Sequence, residues 1–293
     1  MLYFGNTFMS VEDLEVLRFL VKSLHSRKQR LLRGVEIGPW LGRSTLNILA
    51  PDFTIGSPNS ISTIICDLMT LEFNNTHELL SAIKVREQYI PDLSSKDIVI
   101  ALLYNELCYL VKTKKQYFAS FYCVDTWGGI DSEQNVNFRE GALGTAKNIF
   151  ISNISKAGFI DIVTAMQGDS SILSILRDEI DFIFIDADHE YDSIAKDLFA
   201  VRHLLTPSTF LCGHDFGSER WPGVKLAVDD FIKYFEVASN IWIAKREGIE
   251  FLQSLLPYDA YAERIDAQQH ILNNRYSDPD YCLKYGLKPV TNR

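Results

Sequence analysis

Short apolar runs alternate with polar breaks along this chain, and most breaks lead into helical spacing. Residues 181–198, DFIFIDADHEYDSIAKDL, show the pattern most sharply. Phe182 to Ile185 are apolar in succession, as expected of a strand covered on both faces. The run stops at Asp186, Asp188, His189 and Glu190. Four ionisable groups there would each cost several kcal/mol to bury unless paired or bound to a cation. Residues 193–205 then place Ile194, Leu198, Val201 and Leu205 along one side of a helix, with Asp192 or Ser193 able to cap it.

The same grammar recurs on either side. Ser10 and Asp13 are spaced as a capping box that opens a helix with Leu14, Leu17, Val21 and Leu24 on one stripe. That helix runs into the basic stretch 27–33, which suits the negative end of its dipole. Residues 35–37 read as a strand, Gly38-Pro39-Trp40-Leu41-Gly42 as a turn, and 44–49 as the start of a helix. Residues 121–124 predict a strand ending at Asp125, with Trp127 and two glycines after it. A helix over 141–157, a strand over 160–166, a polar 167–171 and a second helix from 172 follow. Residues 209–212 predict a strand that ends in Gly213-His214-Asp215-Phe216. Residues 222–235 contain a helix with Val224, Val228 and Phe231 inward, and 241–244 make a further strand.

Two regions lack this rhythm. Residues 51–118 offer a strand-like 61–66 and helices near 77–89 and 96–112, although 105–111 is apolar on more than one side. This region is expected to be an insertion that lids the site, makes a subunit contact, or adds a plain structural layer. Residues 257–293 are polar and tyrosine-rich, an appendage expected to be partly helical over 260–272 and to pack on a neighbour. Residues 1–256 then form a single domain. Repeated strand–turn–helix units predict an α/β fold, in which ligands sit beyond the carboxyl ends of the strands.

Composition narrows the partners. The net charge of −9 and the lack of a long basic stripe argue against nucleic acid. The basic stretches 27–33 and 112–115 are short enough to be solvated faces. The five cysteines, Cys66, Cys108, Cys123, Cys212 and Cys282, are odd in number and show no CxxC spacing, so a disulfide framework or zinc knuckle is not expected. No signal-like start and no apolar run of spanning length is found, so a cytoplasmic protein without a membrane partner is expected.

The candidate chemistry lies at five strand ends: Glu36–Gly38, Asp125, Asp169–Ser170, Asp186–His189 and His214–Asp215. Gly38 and Gly42 allow a tight turn and close backbone approach to a ligand. Ser44 and Thr45 bring hydroxyls and amides to a helix start, and Glu36 is an acid inside a strand that needs a partner. A ligand with one cationic and one anionic end would suit this turn, and the spacing is not the GxGxxG of dinucleotide binders. Asp125 can accept both hydroxyls of a ribose, with Trp127 a flat surface nearby. Any one of these sites has a plain structural reading as a cap, a turn or a packing aromatic, but five together point to a ligand.

With these residues in place, the sequence resembles a class I S-adenosylmethionine-dependent methyltransferase. It is most similar to the cation-dependent O-methyltransferases that act on catechols and on sugars of macrolide-like natural products. The resemblance covers 34–50 and about 120–244, and leaves out 51–115 and the tail. It implies a Rossmann-like, doubly wound, mostly parallel sheet with helices on both faces. It also implies that Glu36, Gly38, Trp40, Gly42 and Ser44 hold the methionine part of the cofactor, Glu36 facing its ammonium and Ser44 its carboxylate. Asp125 then holds the ribose, and Gly168 and Ser170 lie against adenine. Asp186 becomes a metal ligand that also borders the cofactor, His189 the general base, and His214 with Asp215 the rest of the metal site. The family usually has Asp-Asp or Asp-Asn where this chain has His214-Asp215. Magnesium prefers oxygen, so either His214 turns away and Asp188 or water fills in, or the ion is softer, such as manganese or iron.

The expected activity is methyl transfer to a hydroxyl of a small molecule, a vicinal diol, sugar or catechol, aided by a divalent cation such as magnesium or manganese. Self-association through the insertion or the appendage is left open. Three rivals use some of the same residues: a non-haem iron oxygenase built on His189, His214 and one Asp, a non-catalytic module that keeps the cofactor pocket, and a metal-independent methyltransferase.

Overall fold

The structure is a computed structural model that describes residues 2–3, 9–52, 55–56, 107–110, 115–128 and 146–278. The chain divides into two compact units, one of Met1–Leu32 with Pro39–Gln167 and one of Arg33–Gly38 with Gly168–Arg293.

In the first unit, α1 (Val11–Lys28) starts at the foreseen capping box. Ser10 Oγ accepts the Asp13 amide, and the Asp13 carboxylate accepts the Ser10 amide at 2.9 Å. Leu14, Leu17, Val21 and Leu24 are all buried, so the stripe faces the core as its spacing requires. Helix α2 (Arg43–Leu49) follows the glycine turn. Strand β5 (Phe118–Asp125) runs parallel to β6 (Val163–Gln167), with Phe121 opposite Val163 and Asp125 opposite Gln167. Between them in sequence lies α3 (Ala146–Ala157), which buries Ile149, Phe150 and Ile154. Strands β1 (Leu2–Tyr3), β4 (Leu107–Leu110) and β3 (Ile55–Gly56) form a separate antiparallel sheet in that order. Residues 107–110 therefore contradict the helix expected over 96–112. An apolar residue at nearly every position carries no 3.6 period, so pattern cannot separate strand from helix there. The strand expected at 61–66 and the helix at 77–89 lie outside the described residues.

The second unit holds β2 (Leu32–Ile37), β7 (Phe182–Ile185), β8 (Phe210–Gly213), β10 (Ile241–Ala244) and β9 (Phe235–Ala238), adjacent in that order. β2, β7 and β8 are parallel, and the last two pairings are antiparallel. Phe182, Ile183, Phe184 and Ile185 are all buried, so β7 is covered on both faces, as its unbroken apolar run implies. Each such side chain contributes about 1.5–3 kcal/mol by leaving water. Among the described residues, helices α4 (Tyr191–Val201), α5 (Pro222–Phe231), α6 (Arg246–Ser254) and α7 (Ala262–Asn273) also belong to this unit. Parallel strands joined through helices make the architecture α/β and Rossmann-like, with a mostly parallel sheet.

Several boundaries differ from the sequence expectation. β6 starts at Val163 rather than 160, because residues 160–162 close a turn through the Phe159 carbonyl. The helix expected from 172 is a 3-10 turn over Ser170–Ile175, capped by Asp169. Helix α4 begins earlier than expected, and its N-cap is Glu190 rather than Asp192 or Ser193. Helix α5 stops at Phe231, and β9 occupies 235–238. No helix among the described residues is long and apolar enough to cross a membrane.

Candidate functional site

In the first unit the turn after β2 is organised around Asp125. This carboxylate, at the end of β5, accepts the Trp40 amide at 3.0 Å on one oxygen and the Trp127 amide at 2.7 Å on the other. The Trp127 indole N–H in turn donates to the Trp40 carbonyl at 2.9 Å. Both tryptophans take left-handed backbone angles, φ 48° each, which bulky residues rarely adopt. Burial pushes the Asp125 carboxyl above its ordinary range, and the backbone amides of Trp127, Trp40 and Thr126 pull it part of the way back. Each oxygen keeps a second lone pair, so the group can still accept from a ligand hydroxyl. Gly42 is also left-handed, at φ 88°, with the Phe150 ring against its α-carbon side; Ser44 is buried in α2.

In the second unit Glu36 is fully buried within β2. Gly38 follows at φ 84°, and a β-carbon there would collide with the Asp186 carbonyl and Ala187 backbone. The glycine is thus required by the neighbouring strand end, a reason the sequence did not reveal. Gly168, at φ 157°, has the Ile172 side chain at ordinary contact distance, 3.7 Å, from where a β-carbon would be. Buried Ser170 hydrogen-bonds the buried Asp197 of α4. Burial pushes that carboxyl up to about 7 against the pull of Ser170, and the nearby charges of Asp188 and Asp169 push the same way.

Four residues converge at the carboxyl ends of β7 and β8. The parallel register sets Ile185 beside Gly213, so the residues just beyond, Asp186 and His214, emerge side by side. His214 Nδ1 lies 3.4 Å from Asp186 Oδ1 and 3.3 Å from Asp215 Oδ2. His189 Nε2 lies 2.8 Å from Asp215 Oδ2. Asp186, His189 and Asp215 each bring a ligand atom within 4.8 Å of the others. Asp215 holds a left-handed backbone, φ 60°, which Asp tolerates better than most residues. Asp188 turns elsewhere: it accepts the His189 amide and the Ser193 hydroxyl at 2.7 and 2.8 Å.

The electrostatics follow from burial and pairing. Burial alone would lower both imidazoles, but the carboxylates outweigh it. His214 is pushed up to about 11 by Asp186 and Asp215, and His189 is raised chiefly by its hydrogen bond to Asp215. Burial works against Asp215 as an anion, yet the two imidazoles hold it well below the usual carboxylate range. Asp186 moves the other way, raised by burial more than His214 can offset. His189 Nδ1 is buried and has no hydrogen-bond partner among the described residues. A buried polar atom without a partner costs about 1–3 kcal/mol, which a ligand or ion would recover. Two carboxylates and one imidazole fit a divalent cation of intermediate hardness better than magnesium.

Sequence reasoning missed the residues that support this cluster. The Trp221 ring stacks on His189, centroids 4.4 Å apart and planes 17° apart. Gly223, in the first turn of α5, approaches the turn so closely that a β-carbon would sit 2.6 Å from the His189 carbonyl and the Tyr191 amide. The sequence carried one signal for these, the Trp-Pro-Gly that opens a helix shortly after His214-Asp215.

Residues 105–216 match the family model described as a methyltransferase domain. That stretch is similar to a methyltransferase domain. A comparison with curated proteins gives no match. Among solved structures the chain is similar to the calicheamicin methyltransferase CalS11, at 13% identity over 81% of each chain with a TM-score of 0.41. It is also similar to cofactor-bound Rv0187 from MTB, at 10% identity over 83% of each chain with a TM-score of 0.43.

Proposed function

We propose that this protein is an O-methyltransferase that transfers a methyl group from S-adenosylmethionine to a hydroxyl of a small molecule carrying adjacent oxygens, such as a vicinal diol, a sugar or a catechol. The observation that carries this reading is the convergence of Asp186, His189, His214 and Asp215 beyond β7 and β8. Four ionisable groups gathered in one largely buried cluster carry a desolvation cost that a bound cation or substrate would offset.

The residues proposed to hold the cofactor are Glu36, Gly38, Trp40, Gly42, Ser44, Asp125, Gly168, Ser170 and Asp186. When bound, the cofactor supplies an electrophilic methyl on a sulfonium, so the protein has only to align an oxygen with it. Asp186 and Asp215 are proposed to hold a divalent cation together with one imidazole, and such a cation lowers the pKa of a hydroxyl beside it. His189 is the proposed general base. Its Nε2–H faces Asp215, which fixes ring orientation and tautomer as a carboxylate does for a catalytic histidine. That leaves the Nδ1 lone pair to take the substrate proton. Trp221 presses on the ring face and keeps it from rotating.

One observation favours a second reading. His214 itself reaches both Asp186 and Asp215, so an imidazolium could supply the positive charge there without an added ion. Calorimetry with S-adenosylhomocysteine, with and without manganese, and methyl transfer in EDTA separate the two. Under the first reading, manganese binds with micromolar or better affinity and EDTA abolishes transfer to a catechol such as 3,4-dihydroxybenzoate. Full activity in EDTA would leave the second reading standing. Failure to bind S-adenosylhomocysteine would remove both.

A further inference from the structure

Of the three residues that follow His189, Glu190 and Asp192 are gripped directly from the carboxyl-terminal segment and Tyr191 through Asp230 of α5. The Glu190 carboxylate accepts the Gln269 side-chain amide at 2.6 Å and Arg275 Nη2 at 3.2 and 3.3 Å. Gln269 reaches the same turn a second time, its oxygen accepting the Asp192 amide at 3.3 Å. The Tyr191 hydroxyl donates to Asp230 at 2.7 Å, and Arg264 of α7 holds the other oxygen of that carboxylate at 2.6 Å.

These are not surface ornaments. The Arg275 side chain is 11% exposed and that of Glu190 23%, so their charges meet largely out of water, where breaking one partner is costly. Helix α7 buries only Ile265 and Leu272. A segment that merely covered the core would bring more apolar surface. This one brings polar and charged groups to Glu190 and Asp192, and to Tyr191 through Asp230, next to the residue proposed as the base. Gly223 of α5 closes on the same turn from its backbone side.

We propose that the segment from Arg264 to Arg275 is a positioning element for His189. Gln269 and Arg275 fix Glu190, Arg264 fixes Tyr191 through Asp230, and together they set the angle at which the imidazole meets Asp215. The inference rests on the reading of His189 as the base, but the clamp itself can be tested without any methyl transfer.

The test uses the full chain with Arg275→Met, Gln269→Ala and the exposed control Arg246→Ala. Amide hydrogen exchange over 188–192 and the ring nitrogen resonances of 15N-histidine-labelled protein are read first. In the first two variants exchange across 188–192 should quicken roughly tenfold or more while β7 and β8 stay protected. The His189 ring signals should shift and broaden, and those of His25 and His203 should not. Guanidinium ion added to Arg275→Ala should restore the His189 signals in part. Transfer to 3,4-dihydroxybenzoate should lose about 10–100-fold in kcat, with S-adenosylhomocysteine affinity within about twofold. Unchanged exchange and unchanged His189 signals in both Arg275→Met and Gln269→Ala would overturn the proposal, as would a loss of protection spread evenly over the domain. If the clamp behaves as expected but the wild-type chain transfers no methyl group, the reading of His189 as base fails while the mechanical link stands.

Discussion

Asp125 and Asp215 are both acids at or just past the carboxyl end of a parallel strand, and their surroundings treat them in opposite ways. Asp125 is held by neutral backbone amides of Trp40 and Trp127, and burial wins, raising its pKa. Asp215 is held by a hydrogen bond from His189 and by the positive charge of His214, and these win, lowering it. Dipoles orient a carboxylate without fully compensating its charge, whereas a full positive charge beside it does both. The first arrangement suits a neutral hydroxyl ligand such as a ribose, and the second suits a cation or a proton relay.

The contrast can be broken most forcefully at Asp215. Asp215→Asn keeps the left-handed backbone possible but removes the charge that orients His189. Turnover should fall about 10²–10⁴-fold, while S-adenosylhomocysteine affinity, read by calorimetry, stays within a few-fold. Equal losses in both would show that the two acids do not have separate jobs. At Asp125 the effect should be smaller and of the other kind. Asp125→Ala should weaken S-adenosylhomocysteine about 10–100-fold, as the loss of hydrogen bonds to a ribose would, and leave manganese affinity unchanged.

Asp197 sharpens the comparison from a third side. It accepts a hydrogen bond from the Ser170 hydroxyl, and burial carries its carboxyl up to about 7. A folded-state pKa above the unfolded one means that ionisation opposes folding. Stability should therefore be highest below about pH 4 for this group and should decline as pH rises toward 7. Asp197→Asn should match the wild type near pH 4 and exceed it by about 1–3 kcal/mol at pH 8, seen in urea melts at the two pH values. A variant less stable than wild type at pH 8 would show that the ionised carboxylate is held by something stronger than a hydroxyl.

Much of this was legible in the sequence because the parallel strands are buried on both faces and stop abruptly at charge. Phe182 to Ile185 and the cluster after them were readable for that reason, as were the capping box at Ser10 and the acid at 125. The antiparallel edge was not. Of β9, FEVA, the middle residues Glu236 and Val237 are exposed and none is buried, so no alternation marks it. Helix α6 carries an amphipathic period, with Ile249 and Leu252 buried one turn apart beside Gly248, but over only nine residues it went unread in the sequence. The apolar run at 107–110 had no period to distinguish strand from helix. The supports of His189 were invisible for a different reason: Gln269 and Arg275 are ordinary polar residues 79 and 85 positions from Glu190, and only the fold brings them to it.

Two glycines carry a practical consequence for anyone wishing to harden this protein. Replacing helical glycine with alanine is a common route to a higher melting temperature, since it stiffens the unfolded chain. Gly223 and Gly248 both lie in helices and look like candidates. At the first, the added methyl would strike the backbone on either side of Glu190, the His189 carbonyl and the Tyr191 amide, and at the second it would strike the Tyr234 carbonyl. Here the customary remedy would act as a wedge, and at Gly223 it would be driven under the proposed base itself.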